Sequence, residues 1–213
     1  MMIEPHVLCI DVGGPAKIGW ADSTSATGAG LELGAALDRV SARLQEGQPV
    51  ALGFEAPIWT PRRAELARIT GRRGGIETTY NRAWSAGAGT GALAAALALM
   101  PWSFARLRAI AGEVSVTVDV ARFRSGAASL FVWEAFVSGI GKGASHHDDA
   151  LLAVRAFLAR WPEVPSDVPS EPALNHAVSA AIASGLHVNA AELSMSAVVV
   201  GVTPMTLAGL SRP

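Results

Sequence analysis

The order of apolar segments along the chain predicts an α/β fold, with a mixed five-stranded sheet and helices on both of its faces. Short apolar runs typical of buried strands alternate with longer segments whose apolar residues recur at helical spacing. The first two strand-like runs lie close enough together to form an antiparallel hairpin. Half of the 213 residues are apolar and 16% are charged, a composition typical of a globular protein with a sizeable core.

In the first part of the chain, an apolar run over residues 6–12 ends in an aspartate and two glycines, which predicts a strand and a tight turn. Residues 18–22 predict its antiparallel partner, and residues 23–30 predict a loop or a weak third strand. Apolar residues at helical spacing predict a helix over residues 31–44. Residues 50–54 predict a second buried strand, which we expect to lie beside the first.

The second part of the chain begins with an irregular segment, residues 58–85, that is rich in arginine and glycine. Residues 91–111 predict a helix with an internal proline that could break it. Residues 114–120 and 130–137 predict two further strands, and residues 147–161 predict an amphipathic helix.

We predict a single domain over residues 1–162 and an extension over residues 163–213 that packs on the same domain. The extension opens with a stretch rich in proline and serine, typical of a linker. After it, the sequence predicts one helix and then a strand over residues 198–202.

Charge and cysteine content restrict the classes of partner. The net charge of −1 gives no global field that attracts nucleic acid or membranes. A single cysteine, Cys9, excludes an internal disulfide framework and favours a reducing cytosol, so we predict a cytoplasmic protein. No basic leader precedes an apolar stretch, which predicts no secretory signal. The longest apolar stretch, residues 92–102, is too short to span a bilayer, and we predict no membrane partner.

Acidic residues stand at four separated points in or beside these apolar segments: Asp11, Glu55, Glu134, and the pair Asp148 and Asp149. Burying an unpaired carboxylate costs free energy, and several brought together repel one another. A divalent cation removes that conflict, and hard cations such as Mg²⁺ take oxygen ligands. The sequence therefore predicts a Mg²⁺ or Mn²⁺ site lined by carboxylates. The alternative is that each acid is a strand-end residue satisfied by backbone groups or by arginine.

Four short motifs, in this order, resemble the ribonuclease-H-like nuclease superfamily. They are IDVGG followed by KIGWA over residues 10–21, FEAP over residues 54–57, WEAF over residues 133–136 and HHDDALLAVRAF over residues 146–157. The nearest resemblance is to the bacterial predicted nucleases of this fold and to RuvC-like junction resolvases. It covers roughly three quarters of the chain. The IDVGG motif alone also resembles actin-like sugar kinases and ATPases.

This resemblance implies a ribonuclease-H-like fold and a nuclease that hydrolyses phosphodiester bonds with two metal ions. It places Asp11 between the ions, Glu55 on a neighbouring strand, and the last ligand, Asp149 or Asp148, on the C-terminal helix. Glu134 matches an acid that the predicted nucleases carry after a later strand, and is the fourth implied ligand. The resemblance implies a nucleic-acid substrate, either DNA or RNA.

Helical periodicity separates the two aspartates of the last motif. Asp149 and His146 lie on one flank of the predicted apolar stripe, one turn apart, and Asp148 lies on the other flank. Only one flank can face Asp11, and RuvC-like enzymes resemble this chain in carrying an acid or histidine three residues before the final aspartate. We therefore predict Asp149 as a ligand and His146 as a ligand or proton donor. His147 points toward the apolar stripe and is predicted to be structural.

An excess of positive charge marks the irregular segment. Six arginines and two glutamates give it a local charge of +4. Arginine pairs bidentately with phosphate, and the neighbouring Trp59, Tyr80 and Trp84 could stack on bases. We predict a nucleic-acid contact formed by Arg62, Arg63, Arg72, Arg73, Arg82 and Lys17. The alternatives are a solvated loop with ion pairs, or a contact between two copies of the chain in a homodimer.

Two other function classes compete with the nuclease. An actin-like phosphotransferase would bind a nucleotide at IDVGG, but that class needs two such domains and this chain is too short for a second. A non-catalytic binding module could keep the same fold, because a fold does not fix a function. Metal-dependent cleavage of DNA separates the nuclease from the binding module, and ATP turnover identifies the phosphotransferase.

Overall fold

Eight strands form one mixed sheet in the computed structural model, which describes residues 3–203 and, at residue 140, only the backbone. Their order across the sheet is β3-β2-β1-β4-β7-β6-β9, and β10 pairs with β7. The strands are β1 (His6–Asp11), β2 (Gly19–Asp22), β3 (Thr27–Ala29), β4 (Val50–Glu55), β6 (Ser115–Thr117), β7 (Leu130–Phe136), β9 (His187–Val188) and β10 (Val199–Gly201). The chain is therefore an α/β protein with a mixed sheet, and the sheet is larger than the five strands predicted.

Six α-helices and a separate two-stranded sheet complete the fold of the described residues. The small sheet pairs β5 (Trp59–Pro61) antiparallel with β8 (Ala173–Asn175). The helices are α1 (Leu33–Gln45), α2 (Ile76–Thr79), α3 (Ala88–Ala111), α4 (Val120–Arg124), α5 (His146–Leu158) and α6 (His176–Ala183).

The centre of the sheet consists of three parallel strands, β1, β4 and β7, which end at the same edge. The antiparallel pairing of β1 with β2 confirms the predicted hairpin, and the parallel pairing of β1 with β4 confirms the predicted neighbours. Asp11 and Glu55 are direct register partners at the ends of these strands. The fold thus brings the first two predicted acids side by side.

Each face of the sheet packs on its own helices. Leu8, Ile10, Leu52 and Phe54 point to the face covered by α1, α3 and α6. The alternate residues, among them Cys9, point to the opposite face, which α5 covers. Both faces are buried, which explains why the central strands are continuous apolar runs instead of alternating patterns.

Helix α3 runs unbroken from Ala88 to Ala111 with Pro101 inside it. A proline removes one helical hydrogen bond and usually bends the helix. Here α3 packs against α1 and α6, and the Ser184 hydroxyl donates to the Pro101 carbonyl at 3.2 Å, which helps to hold this turn. By length and composition α3 could also cross a membrane, a criterion that core helices of soluble proteins meet too. The absence of a membrane partner stays a prediction.

Residues 58–85, predicted to be irregular, contain β5, α2 and a short 3-10 helix, Leu66–Arg68. The predicted strand over residues 114–120 is shorter, because α4 begins at Val120 with the Asp119 side chain accepting from the Ala121 amide at its start. The chain after residue 163 contributes β9 and β10 to the main sheet and β8 to the small one. The last part of the predicted extension, residues 204–213, lies outside the described residues.

Candidate metal centre

Three carboxylates meet at the carboxyl-terminal edge of the sheet. Asp11 ends β1, Glu55 ends β4, and Asp149 lies in the first turn of α5. Each offers one oxygen, and these oxygens all lie within 4.8 Å of one another. Asp11 and Asp149 are buried and Glu55 is partly buried, so the three form a cluster of acids with little access to water.

A glycine and a capping serine bring α5 to this position. A Cβ at Gly19 would lie 2.3 Å from the backbone carbon of His146, so only glycine lets the start of α5 pack on β2. The Ser145 side chain accepts from the Asp148 amide at 3.2 Å and fixes the first turn. The Gly143 amide donates to Asp149 Oδ1 at 2.5 Å and orients that carboxylate.

The electrostatics of the cluster are unfavourable without a cation. Burial, together with the charges of Asp11 and Asp149, raises the pKa of Glu55 well above its usual range. Burial also raises the pKa of Asp11, although the hydrogen bond with His146 opposes the shift. Oxygen Oε2 of Glu55 is buried and has no hydrogen-bond partner among the described residues. An unsatisfied buried carboxylate oxygen is costly, and either a proton or a bound cation would remove that cost.

Two basic side chains border the cluster. Nδ1 of His146 lies 2.5 Å from Oδ2 of Asp11, and the imidazole is half exposed. Nζ of Lys142 lies 3.6 Å from Oδ2 of Asp149. Neither contacts Glu55. The sequence prediction did not assign a role to Lys142, because its glycine-rich surroundings at residues 139–143 gave no specific signal.

The structure separates the two aspartates of α5 as helical periodicity predicted. Asp149 belongs to the cluster, whereas Asp148 is partly exposed and accepts from the Ser145 hydroxyl at 2.7 Å. The prediction for His147 was wrong in one respect. Its side chain is 44% exposed and lies 3.8 Å from Asp148, so it does not pack into the apolar stripe.

Glu134 lies away from the other three acids, on the opposite face of the sheet. It is the register partner of Phe54, and paired residues on neighbouring strands point to the same face. Asp11 and Glu55, one residue further along their strands than Ile10 and Phe54, point to the α5 face. The geometry therefore corrects the expectation that Glu134 joins the other ligands, since a shift of one residue reverses the direction of a side chain.

Glu134 instead belongs to a buried ion-pair cluster with Arg73 and Glu77. The Arg73 guanidinium donates to both oxygens of Glu134, at 2.5 and 2.9 Å, and to Glu77 at 2.8 Å. Burial alone would lower the pKa of Arg73, but the two carboxylates outweigh it and raise the pKa. Glu134 also accepts from the Ile58 amide at 3.1 Å, which fixes the turn after Glu55.

The predicted arginine contact divides into two groups. Arg73 is 3% exposed and belongs to that ion-pair cluster, and Trp59 is fully buried beneath its guanidinium. Arg63 donates to Glu171 at 2.7 and 2.9 Å and to three backbone carbonyls, so it holds its own loop together. These two arginines are therefore corrected from phosphate contacts to structural residues. The predicted contacts that remain exposed are Arg62, Arg72, Arg82 and Lys17.

No family model, no curated protein and no solved structure matches the chain. A functional conclusion therefore rests on the geometry and chemistry of the carboxylate cluster and its surroundings.

Proposed function

We propose that this protein is a metal-dependent nuclease with a ribonuclease-H-like fold. The observation that carries the proposal is the cluster of Asp11, Glu55 and Asp149, whose oxygens lie within 4.8 Å and include an unpartnered buried oxygen of Glu55. The positions of Asp11 on β1 and Glu55 on β4 support the resemblance that the sequence motifs indicate.

The donor set favours Mg²⁺ or Mn²⁺ as the cofactor. All three ligands offer carboxylate oxygen, and the described residues bring no cysteine or second histidine to the cluster. Hard divalent cations prefer oxygen donors and keep several water ligands, which suits a site with three protein ligands at the edge of a sheet. Asp11, Glu55 and Asp149 would hold the metal through their carboxylate oxygens.

Bound Mg²⁺ or Mn²⁺ supplies activation of a water and stabilisation of the leaving oxygen in phosphodiester hydrolysis. The protein orients the carboxylates through the sheet register and the Gly143 amide. The packed core behind them excludes water from that side of the site. His146 holds Asp11 through Nδ1, and its Nε2 makes no hydrogen bond among the described residues. That nitrogen can accept or donate a proton at the reacting water or leaving group.

Exposed cations on the same molecule suit a charged polymer as substrate. Among the described residues, no carboxylate pairs with Arg62, Arg72, Arg82 or Lys17. The turn before β2 holds Lys17 close in sequence to Asp11, and Arg82 borders a cleft that reaches Glu55. We propose that these residues contact the nucleic-acid backbone, with an affinity that falls steeply with salt.

One observation favours a second candidate, a binding module without catalysis. Lys142 already places a positive charge beside Asp149, and His146 already occupies a hydrogen-bonding position of Asp11. With both side chains in these positions, a metal ion is less necessary to offset the charges of the carboxylates. The two functions differ in one measurable property, since only the nuclease needs a divalent ion to act.

The test is cleavage of labelled single-stranded, duplex and branched DNA and of RNA, with Mg²⁺, with Mn²⁺ and with EDTA. We expect cleavage that requires the metal and is lost in Asp11→Asn. Calorimetric titration of Mn²⁺ into the same variant checks the site directly. Binding of nucleic acid without cleavage under every condition would favour the second candidate.

A further inference from the structure

A cleft opens beside the carboxylate cluster, on the side of the sheet edge where α3 begins. Its empty volume is about 480 Å³, including the open mouth. Glu55 forms part of its wall, so the cleft and the cluster share one residue. Because this volume includes open solvent, the cleft is an open depression on the surface and not an enclosed pocket.

Two flat side chains and a proline give the cleft an apolar lining. Trp84, Phe136 and Pro57 line it together with several alanines. The indole nitrogen of Trp84 donates to the Gly71 carbonyl at 3.1 Å, which fixes the plane of its ring. The Phe136 ring lies against Tyr80, with ring centroids 6.1 Å apart. Rigid aromatic surfaces of this kind bind planar apolar groups such as nucleobases.

The polar groups in the wall differ in how far they are already paired. The cluster of Arg73, Glu77 and Glu134 is buried and its members bond to one another. Arg82 is exposed at the cleft, and no ion pair of its side chain occurs among the described residues. The cleft therefore offers one free cation, an apolar interior and, at Glu55, an edge of the metal centre.

We propose that this cleft binds one unpaired nucleobase of a single-stranded substrate, while Arg82 contacts an adjacent phosphate. The inference rests on the proposed function, because it assigns the substrate of the same site. A base inside a duplex is stacked and paired on both sides and cannot enter a cleft of this kind unless it leaves the helix. The strand is therefore single-stranded at this point, and stacking on Trp84 binds any of the four bases with little discrimination.

The experiment compares binding of three labelled ligands by fluorescence anisotropy in EDTA, where no cleavage occurs. They are a single strand, a strand of equal length built of abasic units, and a blunt duplex. The abasic strand keeps the phosphate charges and lacks only the bases. We expect the single strand to bind about 5- to 100-fold more tightly than the abasic strand.

Two variants test whether the cleft causes that difference. Ala92→Leu places a larger side chain into the cleft, and Trp84→Ala removes the aromatic wall. Both variants should bind the single strand only about as tightly as they bind the abasic strand. The matched control is Ala94→Leu, which lies on the same helix at an exposed position outside the cleft. It should leave the difference unchanged, and thermal melting of each variant shows that the fold is kept.

The outcomes distinguish this inference from the proposed function. Equal binding of the single and abasic strands, or of the single strand and the duplex, would overturn the nucleobase cleft even if the protein cleaves DNA. A preference for bases that both cleft variants erase would support the cleft even if no metal-dependent cleavage is found. A preference that survives Trp84→Ala and Ala92→Leu would place the base contacts elsewhere and overturn the assignment.

Discussion

Asp11 and Glu55 are register partners on adjacent parallel strands, so their carboxylates leave the sheet on the same face and at the same edge. The next element on that face is α5, whose first turn adds Asp149. The conflict among these three acids is the main physical property of the site. It leads to predictions about stability, pH, metal and substrate.

Replacing Glu55 with glutamine should stabilise the metal-free protein. Burial and the charges of Asp11 and Asp149 disfavour the ionised form of Glu55, and glutamine removes that charge with almost the same shape. We expect a higher melting temperature in EDTA than for the parent chain. Glu113→Gln is the matched control, because that side chain is 92% exposed, and it should change the melting temperature little. A lower melting temperature for Glu55→Gln would contradict the predicted repulsion.

The contribution of Glu55 and Asp11 to the stability of the metal-free protein should fall as the pH rises above the usual glutamate pKa of about 4.5. The pKa values of Glu55 and Asp11 are raised in the folded state, so the folded protein binds more protons than the unfolded chain in this range. Their contribution to the free energy of unfolding therefore decreases with pH until both acids are ionised in the folded protein. Urea unfolding of the parent chain and of Glu55→Gln from pH 4.5 upward in EDTA measures it, and the stability advantage of the variant should grow with pH.

Added Mn²⁺ should counteract this loss of stability at higher pH, because the metal binds the ionised carboxylates and releases their protons. Stabilisation by Mn²⁺ should therefore grow with pH over the same range. A constant effect of Mn²⁺ at every pH would show that the ion binds at another site.

Asp149→Asn should abolish metal-dependent cleavage, whereas Asp148→Asn should retain it within about threefold, since surface changes of this kind have small effects. The two residues are neighbours with the same chemistry, but only Asp149 belongs to the cluster. Steady-state cleavage with Mg²⁺ and with Mn²⁺ measures both. If Asp148→Asn were the inactive variant, the assignment of the ligand would be wrong.

Glu134→Gln should destabilise the fold by about 3 to 5 kcal/mol, because it leaves the buried Arg73 without one of its two partners. Chemical denaturation gives the value. Arg124, which forms an ion pair with the largely exposed Glu163, provides the comparison, and Glu163→Gln should cost less than about 1 kcal/mol. Since Glu134 lies on the other face of the sheet, the affinity of the folded variant for Mn²⁺ should change little. A large loss of Mn²⁺ affinity at full stability would restore Glu134 as a ligand.

Replacing Arg62, Arg72 and Arg82 together with alanine should weaken binding of nucleic acid and reduce its salt dependence. Each lost phosphate contact should lower the slope of log affinity against log salt by about 0.7 to 0.9. The exposed positions of these residues predict little change in stability. Arg63→Ala provides the contrast, because it breaks the pair with Glu171 and should destabilise the loop. An unchanged slope in the triple variant would show that these arginines do not contact phosphate, and would favour a contact between two copies.

The local pattern of the sequence determined the hairpin of β1 and β2, the order of the central elements and the choice of Asp149 over Asp148. These features depend on interactions between near neighbours, or on the fixed angle between successive residues of a helix. The apolar runs also predicted that Asp11 and Glu55 end neighbouring strands, because parallel strands end at one edge of a sheet.

Only the tertiary structure decided which face of the sheet each acid occupies. Glu134 stands two residues before the end of an apolar strand, close to where Glu55 ends its own, but its pairing with Phe54 directs it to the opposite face. Strand register depends on contacts between segments about 80 residues apart, and a change of one residue inverts every side chain. For the same reason, the sequence could not show that Arg73 is buried against Glu134 while Arg82 stays exposed at the cleft. The residue types determined which chemistry is available to this protein, and the packing of distant segments decided which residues can take part in it.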